Sequence, residues 1–307
     1  MIQVFMKRTF RGLVLAFVAV NLVFFVVNVI GDPVGRSLPL DASPEQYAAK
    51  ARSLGFDRPL WEQYTDYVGD VARLDFGDSI STQAPAMESV LTRFPRTFLL
   101  VGAGMGLTAV IGIPTGILLA TTKRRWVDRL GNSLTLTALS IPQFWLGILL
   151  ILVFSLQLGW FPTSGIGSWK HVVLPSLALA IGPLGKTIQI IQVTLRDELQ
   201  KPYIRTASAK GLSEGRVLYH ALRNAVVAIA TVFSHETILA LAGYTVLVET
   251  VFAWPGIGSL IAEAISALDV PLTSAVVVAV LLVVVVANTL VDIMYRQLDP
   301  RIARGLK

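Results

Sequence analysis

Cysteine, histidine and charge are all scarce in this sequence. The 307 residues include no cysteine, which excludes a disulfide framework and a thiolate metal site. The three histidines, His171, His220 and His235, are too scattered for a metal-ligand motif. Only 15% of the residues are charged, against about 25% in an ordinary soluble domain, whereas 54% are hydrophobic. A water-soluble fold of this size cannot bury so much apolar surface.

Six long apolar blocks predict membrane-spanning helices. A bilayer core about 30 Å thick requires roughly 20 apolar residues in one helix, and the blocks have about that length. The predicted spans are residues 12–30, 97–120, 133–156, 172–193, 226–248 and 274–295. The first follows basic residues, as a signal peptide does, but no small-x-small cleavage pattern follows it, so we expect it to be retained. The predicted fold class is all-α integral membrane, with residues 1–307 as a single transmembrane domain.

The distribution of charge predicts the orientation of these spans. Lysine and arginine concentrate in the N-terminus, in residues 121–132, in residues 194–225 and in the C-terminal tail. Residues 157–171 contain only Lys170, and residues 249–273 contain no lysine or arginine. By the positive-inside rule both termini face the cytoplasm of a bacterial or archaeal plasma membrane. The net charge of +6 comes without a basic face interleaved with aromatics, so we expect no nucleic-acid partner.

The first outer segment, residues 31–95, is predicted to be folded. Ser43 can cap a helix that has Pro44 at its first position and Gln46 as the capping-box partner. After Pro59, apolar residues recur at helical spacing with acidic residues between them. We therefore expect two short amphipathic helices on the outer membrane surface or on a partner.

Residues 194–225 contain a predicted helix-turn-helix on the cytoplasmic side. Pro202 can begin a helix, Gly211 can end it in a left-handed conformation, and Ser213 can cap a second short helix to about Asn224. The exposed side carries basic residues: Arg205, Lys210, Arg216 and Arg223. From the residues alone, this face is either a partner surface or a solvated positive-inside loop.

A resemblance to a known family favours the partner surface. The run Tyr203-Ile-Arg-Thr-Ala-Ser-Ala-Lys-Gly-Leu-Ser, followed by His220-Ala-Leu-Arg-Asn-Ala, is similar to the coupling-loop signature of binding-protein-dependent importer permeases. With Gly211 on the family glycine, Arg205-Thr206-Ala207 falls on the Glu-Ala-Ala triplet of the wider family and Arg223-Asn224 on its Leu-Pro. The departures resemble the form of the oligopeptide, dipeptide and nickel branch.

Further similar segments cover nearly the whole chain in order. They are Gly31-Asp-Pro-Val, Asp41-Ala-Ser-Pro-Glu, Leu54-Gly-Phe-Asp-Arg-Pro-Leu, Leu74-Asp-Phe-Gly-Asp-Ser, Ser140-Ile-Pro-Gln-Phe-Trp-Leu, Val248-Glu-Thr-Val-Phe-Ala-Trp-Pro-Gly-Ile-Gly and Leu298-Asp-Pro-Arg-Ile. Together they resemble a permease of the first-permease type in an ATP-binding-cassette (ABC) importer.

The resemblance implies a transport subunit without its own ATP-hydrolysing site. No Gly-x-x-x-x-Gly-Lys-Ser/Thr phosphate loop occurs in the sequence, so we expect no bound cofactor and no ATP hydrolysis by this chain. ATP and Mg would be used by two cytoplasmic ABC ATPase subunits. The other implied partners are a second homologous permease, an extracytoplasmic substrate-binding protein and membrane lipid. The residues implied to couple to the ATPase are Arg205, Thr206, Ala207, Lys210, Gly211, Ser213, Arg223 and Asn224.

The outer loop at residues 249–273 is a candidate gate. Trp254-Pro255-Gly256 cannot continue a helix, and apolar residues at helical spacing then predict a short helix that ends near Asp269. We expect this loop, which also includes Glu249, to be a re-entrant hairpin that closes the translocation path from outside or contacts a substrate-binding protein. The alternative is a loop that rests on the membrane.

Polar residues inside the predicted spans are candidates for the translocation path. They are Lys186, Gln189, His235 and Glu236. Intramembrane charges are costly and usually face a cavity or a partner, so Lys186 either pairs with Glu236 or contacts cargo. The same charges leave an ion- or proton-coupled secondary transporter as the alternative function, although no repeated halves are visible. A membrane-embedded enzyme is a third hypothesis, and it lacks a catalytic constellation such as His-Glu-x-x-His.

Overall fold

The structure, a computed structural model, describes residues 14, 17–26, 31–39 and 41–298. In these ranges the chain is mostly helical, and its β-structure is limited to an isolated bridge between Asp78 and Pro85. The helices are α1 (Pro33–Arg36), α2 (Pro44–Leu54), α3 (Leu60–Ala72), α4 (Ala86–Leu107), α5 (Ile113–Thr121), α6 (Arg125–Ser140), α7 (Gln143–Leu150), α8 (Trp169–Gln200), α9 (Pro202–Ala209), α10 (Glu214–Leu239), α11 (Thr245–Val251), α12 (Ile257–Ser266) and α13 (Val270–Leu298). The predicted all-α class is confirmed.

Four helical stretches are long and apolar enough to cross a membrane: Ala86–Thr121, Trp169–Gln200, Glu214–Val251 and Val270–Tyr295. They contain the second, fourth, fifth and sixth predicted spans. Three of the predicted spans also contain a π-helical turn, namely Thr108–Gly112, Ile151–Gln157 and Ala240–Tyr244. Of the predicted first span, residues 14 and 17–26 are described, and residues 17–25 are α-helical. The count of six spans stays a prediction.

The third predicted span, residues 133–156, is not one straight helix. The segments Arg125–Ser140 and Gln143–Gln157 meet at an angle of 99°. Between them Ile141 is extended, with φ −80° and ψ 122°. Pro142 causes the break, because proline lacks an N–H group and disfavours helical geometry in the residue before it. The prediction of a continuous span here was wrong.

One compact unit contains the chain up to Thr97 together with Pro255–Val286. The two short outer helices predicted from the sequence are confirmed as α2 and α3. The Ser43 hydroxyl accepts from the Gln46 N–H at 3.3 Å, and the Gln46 side chain accepts from the Ser43 N–H at 2.8 Å. The core of this unit combines residues from the outer segment, α12 and α13: Phe76, Ala86, Val90, Ile257, Leu260, Leu272 and Val276.

The second unit contains Phe98–Trp254 and the chain from Ala287. Helix α8 is its central element, because α5, α6, α7 and α10 all pack against it. Gly116 of α5 allows one of these close contacts, since an added Cβ atom would lie 2.8 Å from the Cβ of Ile191. The main core of the unit includes Leu100, Met105, Leu174, Leu179, Val248 and Trp254.

Candidate functional site

The coupling segment, residues 202–224, begins with the predicted short helix. Helix α9 starts at Pro202, whose missing N–H needs no partner at that position. It ends in a Schellman motif, in which the Leu212 N–H donates to the Ala207 carbonyl and the Gly211 N–H donates to the Ser208 carbonyl. Gly211 has φ +80°, in the left-handed region, as predicted.

The second helix of the coupling segment differs from the prediction. It begins after Ser213 but does not end near Asn224, because α10 runs from Glu214 to Leu239. No proline lies between these residues, and the chain therefore enters the fifth predicted span without a break. The Ser213 side chain makes no capping hydrogen bond. The start of α10 is therefore continuous with a helical stretch that is long and apolar enough to cross a membrane.

The residues implied to couple to a partner lie on an accessible surface. Exposed members are Arg205, Thr206, Lys210, Gly211, Ser213, Arg223 and Asn224, and Ala207 is half-buried. The surface carries several positive charges and polar side chains, together with the exposed rings of Tyr203 and Tyr219. It is available to a protein partner with complementary acidic and polar groups.

Ile204 anchors α9 to the rest of the second unit. Its side chain is 5% exposed and packs in a small core with Ala120, Leu195 and Ala221. These neighbours belong to α5, α8 and α10 respectively. The short helix is thus attached by one buried residue to three longer helices.

A chain of hydrogen bonds lies beside this anchor. The Tyr203 hydroxyl donates to Glu198 Oε2 at 2.8 Å and accepts from the Asn224 amide at 2.8 Å. Lys201 forms an ion pair with the other oxygen of Glu198. Burial raises the pKa of Tyr203 above its ordinary value, the hydrogen bond from Asn224 partly offsets this rise, and the Glu198 carboxylate adds to it. Glu198, Lys201 and Tyr203 were not predicted as a group, although the break at Pro202 is the local signal that brings them together.

A second group of polar contacts connects α5, α6 and α8. Its central residue, Arg196, lies six residues before the coupling segment. Arg196 Nη2 donates to Asp128 Oδ1 at 2.5 Å and to the Leu119 carbonyl at 2.7 Å. Gln192 also donates to Asp128, at 3.2 Å. Arg196 therefore satisfies a carbonyl at the end of α5 while it pairs with the first turn of α6.

The polar residues predicted for the translocation path do not gather at one point. Lys186 and His235 are exposed, Gln189 is half-buried, and Glu236 is 5% exposed. Among the ion pairs of the described residues, none joins Lys186 to Glu236, so the predicted pairing is not formed. Glu236 instead accepts from the Tyr244 hydroxyl at 3.4 Å. The π-helical turn at Ala240–Tyr244 rotates the chain less per residue than an α-helix does, which reduces the angle between these two residues about the helix axis.

The predicted gate residues are mostly buried. Glu249 and Trp254 are each 0% exposed, and the Trp254 N–H donates to the Glu249 carbonyl at 2.8 Å. In the first unit, Gly256 precedes α12, and the Pro255 carbonyl accepts from Arg96 at 3.4 Å. The predicted short helix is confirmed as Ile257–Ser266. In this conformation Glu249 and Trp254 present no surface to a binding protein.

Asp269 is a buried charged residue whose contacts could not be predicted in full from the sequence. It is 0% exposed and precedes α13. Its Oδ1 accepts from the Leu272 N–H at 3.0 Å, which is an N-cap interaction, and its Oδ2 accepts from the Ser79 and Ser81 hydroxyls. An aspartate before Val270-Pro271 is a recognisable N-cap signal, but nothing local indicates its distant serine partners. The described residues contain no cluster of three His, Cys, Asp or Glu side chains that could hold a metal.

Comparisons with known proteins agree with this architecture. The family described as "Binding-protein-dependent transport system inner membrane component" matches residues 112–304. The glutathione transport system permease protein GsiC of Escherichia coli (strain K12) is 34% identical over 98% of this chain and 99% of that protein. The protein of the same name from Salmonella typhimurium (strain LT2) is 36% identical over the same shares.

Solved structures support the fold. The MetNI methionine ABC transporter in inward-facing conformations gives TM-scores of 0.61 and 0.59 in two crystal forms, at 17% and 18% identity. Each match covers 70% of this chain and 98% of the other. At such identities the likeness concerns the fold alone.

Proposed function

The chain belongs to the family of binding-protein-dependent transport system inner membrane components and is an ABC importer permease subunit, and we propose that its coupling segment docks a cytoplasmic ATPase. The observation that carries the proposal is the construction of α9. Its outer side is polar and exposed and carries Arg205, whereas Ile204 and the Tyr203 hydroxyl contact three other helices. A short helix with these contacts can transmit the displacement of a docked partner to the helices behind it.

The proposed assembly contains this permease, a second homologous permease, two ABC ATPases and an extracytoplasmic substrate-binding protein in a lipid membrane. Both termini lie in the cytoplasm, on the side of the coupling segment. ATP and Mg are used by the ATPases, and this chain binds neither. Each permease contributes half of the translocation path, because one chain supplies one coupling segment.

We infer that the cargo is a peptide or a similar small solute. The support is the similarity over nearly the whole chain to permeases named for glutathione, which is itself a small peptide. Lys186, Gln189, His235 and Glu236 are the proposed polar residues of the path, and Glu249, Trp254, Pro255 and Gly256 are the proposed outer gate. Trp254 would have to leave its buried position for the gate to open.

Reconstitution tests the proposal. The chain is purified with its co-expressed partners and placed in proteoliposomes with the binding protein, and labelled glutathione and small peptides serve as probes. We expect the ATPases to co-purify and uptake to require Mg-ATP. Uptake driven by an ion gradient without ATP would instead support a secondary transporter and contradict the proposed function.

A further inference from the structure

We propose that the hydrogen-bond chain Glu198–Tyr203–Asn224 fixes the angle of the coupling helix α9, and that Tyr203 is a positioning residue for coupled transport. This inference rests on the proposed docking function and adds a residue that acts inside the chain. The Tyr203 hydroxyl joins α8, through Glu198, to α10, through Asn224. Tyr203 itself belongs to α9, so its hydroxyl is the point at which all three helices are connected by polar contacts.

The apolar anchor alone does not determine this angle. Ile204 attaches α9 through a single side chain in a core that includes Leu195 and Ala221. Hydrophobic contacts are non-directional, so a helix held by one apolar residue can roll about it with little loss of buried area. Hydrogen bonds require defined distances and angles. The two bonds of Tyr203 therefore supply the orientation that Ile204 cannot.

The backbone on both sides of α9 permits such a roll. Lys201 is extended, with φ −67° and ψ 150°, so α8 and α9 do not form one continuous helix. At the other end, Gly211 interrupts the helical path with its left-handed conformation. Between these two breaks, α9 is an eight-residue body whose orientation depends on its side-chain contacts.

Glu198 is held so that it can perform this role. The residue is 9% exposed, and Lys201 pairs with the oxygen that Tyr203 does not use. With both oxygens engaged, the carboxylate cannot rotate freely. The Tyr203 hydroxyl thus meets a fixed and charged acceptor, which makes a stronger hydrogen bond than a neutral one.

Loss of the hydrogen bonds of Tyr203 should reduce the coupling of transport to ATP hydrolysis while docking of the ATPase persists. The exposed residues that meet the ATPase are unchanged in Tyr203→Phe, and Ile204 still attaches α9. Closure of the ATPases would then roll α9 about Ile204 and move α8 and α10 less. The expected result is a lower ratio of solute imported to ATP hydrolysed.

The test uses the full importer in proteoliposomes with glutathione as the probe and measures uptake and ATP hydrolysis together. Tyr203→Phe should retain its ATPases and lower the ratio by about tenfold or more, the effect expected for loss of one charge-assisted hydrogen bond. Glu198→Ala should behave similarly, whereas Glu198→Gln keeps an acceptor oxygen and should lie nearer the wild type. The double variant Tyr203→Phe/Glu198→Ala should be no worse than the more affected single variant, because both remove the same contact.

Tyr295→Phe is the matched control. Tyr295 lies in α13, outside the coupling segment, is half-buried, and takes part through its hydroxyl in none of the hydrogen bonds between described residues. We expect its ratio to equal that of the wild type. A wild-type ratio in Tyr203→Phe, or additive losses in the double variant, would overturn the positioning role of Tyr203. Failure of the docking function would be seen differently, as wild-type protein that retains no ATPase or imports without ATP.

Discussion

Asp269 Oδ2 accepts a hydrogen bond from the Ser79 hydroxyl at 2.7 Å, although 190 residues separate them in the chain. The same oxygen accepts from the N–H and the hydroxyl of Ser81, at 2.9 and 2.8 Å. Asp269 and Ser79 are both 0% exposed. One buried carboxylate therefore binds the outer segment to the start of α13, within the first unit.

Replacement of Asp269 by Asn should destabilise this unit. The amide keeps the volume but loses the charge, and its NH2 group faces donors that need an acceptor. We expect a loss of about 2–3 kcal/mol, the magnitude typical of buried hydrogen bonds to a charged group. Thermal unfolding of the detergent-purified chain measures it, with the exposed Asp57→Asn as the control. Equal stability of the two variants would show that the serine contacts contribute nothing.

The local features of the coupling and outer segments could be predicted from sequence. Ser43, Gln46 and Gly211 act within a few residues of their own position, so their residue types were enough to place two helix ends. The break at Pro142 had a visible signal, but the apolar character of the flanking residues favoured a single span. The contacts of Asp269 with Ser79 and of Glu198 with Tyr203 depend on tertiary packing, and a single sequence carries no measure of those distances. The continuation of α10 beyond Asn224 is indicated in the sequence only by the lack of a helix-ending residue after Asn224.

Truncation of the anchor Ile204 to Ala should release α9 from the membrane helices. The cavity should cost about 2–4 kcal/mol locally, because Ile204 is almost fully buried. Membrane insertion should be normal, whereas the amount of co-purified ATPase and ATP-dependent uptake should both fall. Ile265→Ala, at a position 56% exposed, is the control and should change neither quantity. Normal uptake by Ile204→Ala would mean that α9 is held by other contacts.

Tyr67 predicts an alkaline limit to the stability of the outer segment. Burial raises its pKa from 10.0 to about 12, against a smaller lowering effect of its hydrogen bond with Ser274. A folded-state pKa above the unfolded value stabilises the fold below pH 10 and loses that contribution as the pH rises to about 12. Stability should therefore decline between these pH values in the wild type, and less so in Tyr67→Phe. Parallel pH curves for the two proteins would contradict this assignment.

The central claim is that the coupling segment transmits ATPase motion, and Gly211 offers a specific way to test it. An added Cβ atom at Gly211 would meet no other atom of this chain within 4 Å, so within the chain the substitution acts through the left-handed backbone. A non-glycine residue in the left-handed region costs roughly 1–2 kcal/mol, and a β-branched residue costs more. Gly211→Val should therefore re-aim α9 and the start of α10 without a steric clash.

Gly215→Ala provides the matched control. An added Cβ atom at Gly215 also meets no atom within 4 Å, but this glycine lies in the first turn of α10, where alanine is well tolerated. Gly211→Asn should be intermediate, because asparagine accepts the left-handed conformation better than valine does.

The decisive measurement is the initial rate of Mg-ATP-dependent glutathione uptake by proteoliposomes that contain the assembled importer, with the retained ATPase quantified in the same preparations. We expect Gly215→Ala to match the wild type and Gly211→Val to insert normally, retain less ATPase and import at least about tenfold more slowly. A Gly211→Val importer that keeps its ATPase and imports at the wild-type rate would contradict the coupling role of residues 202–224.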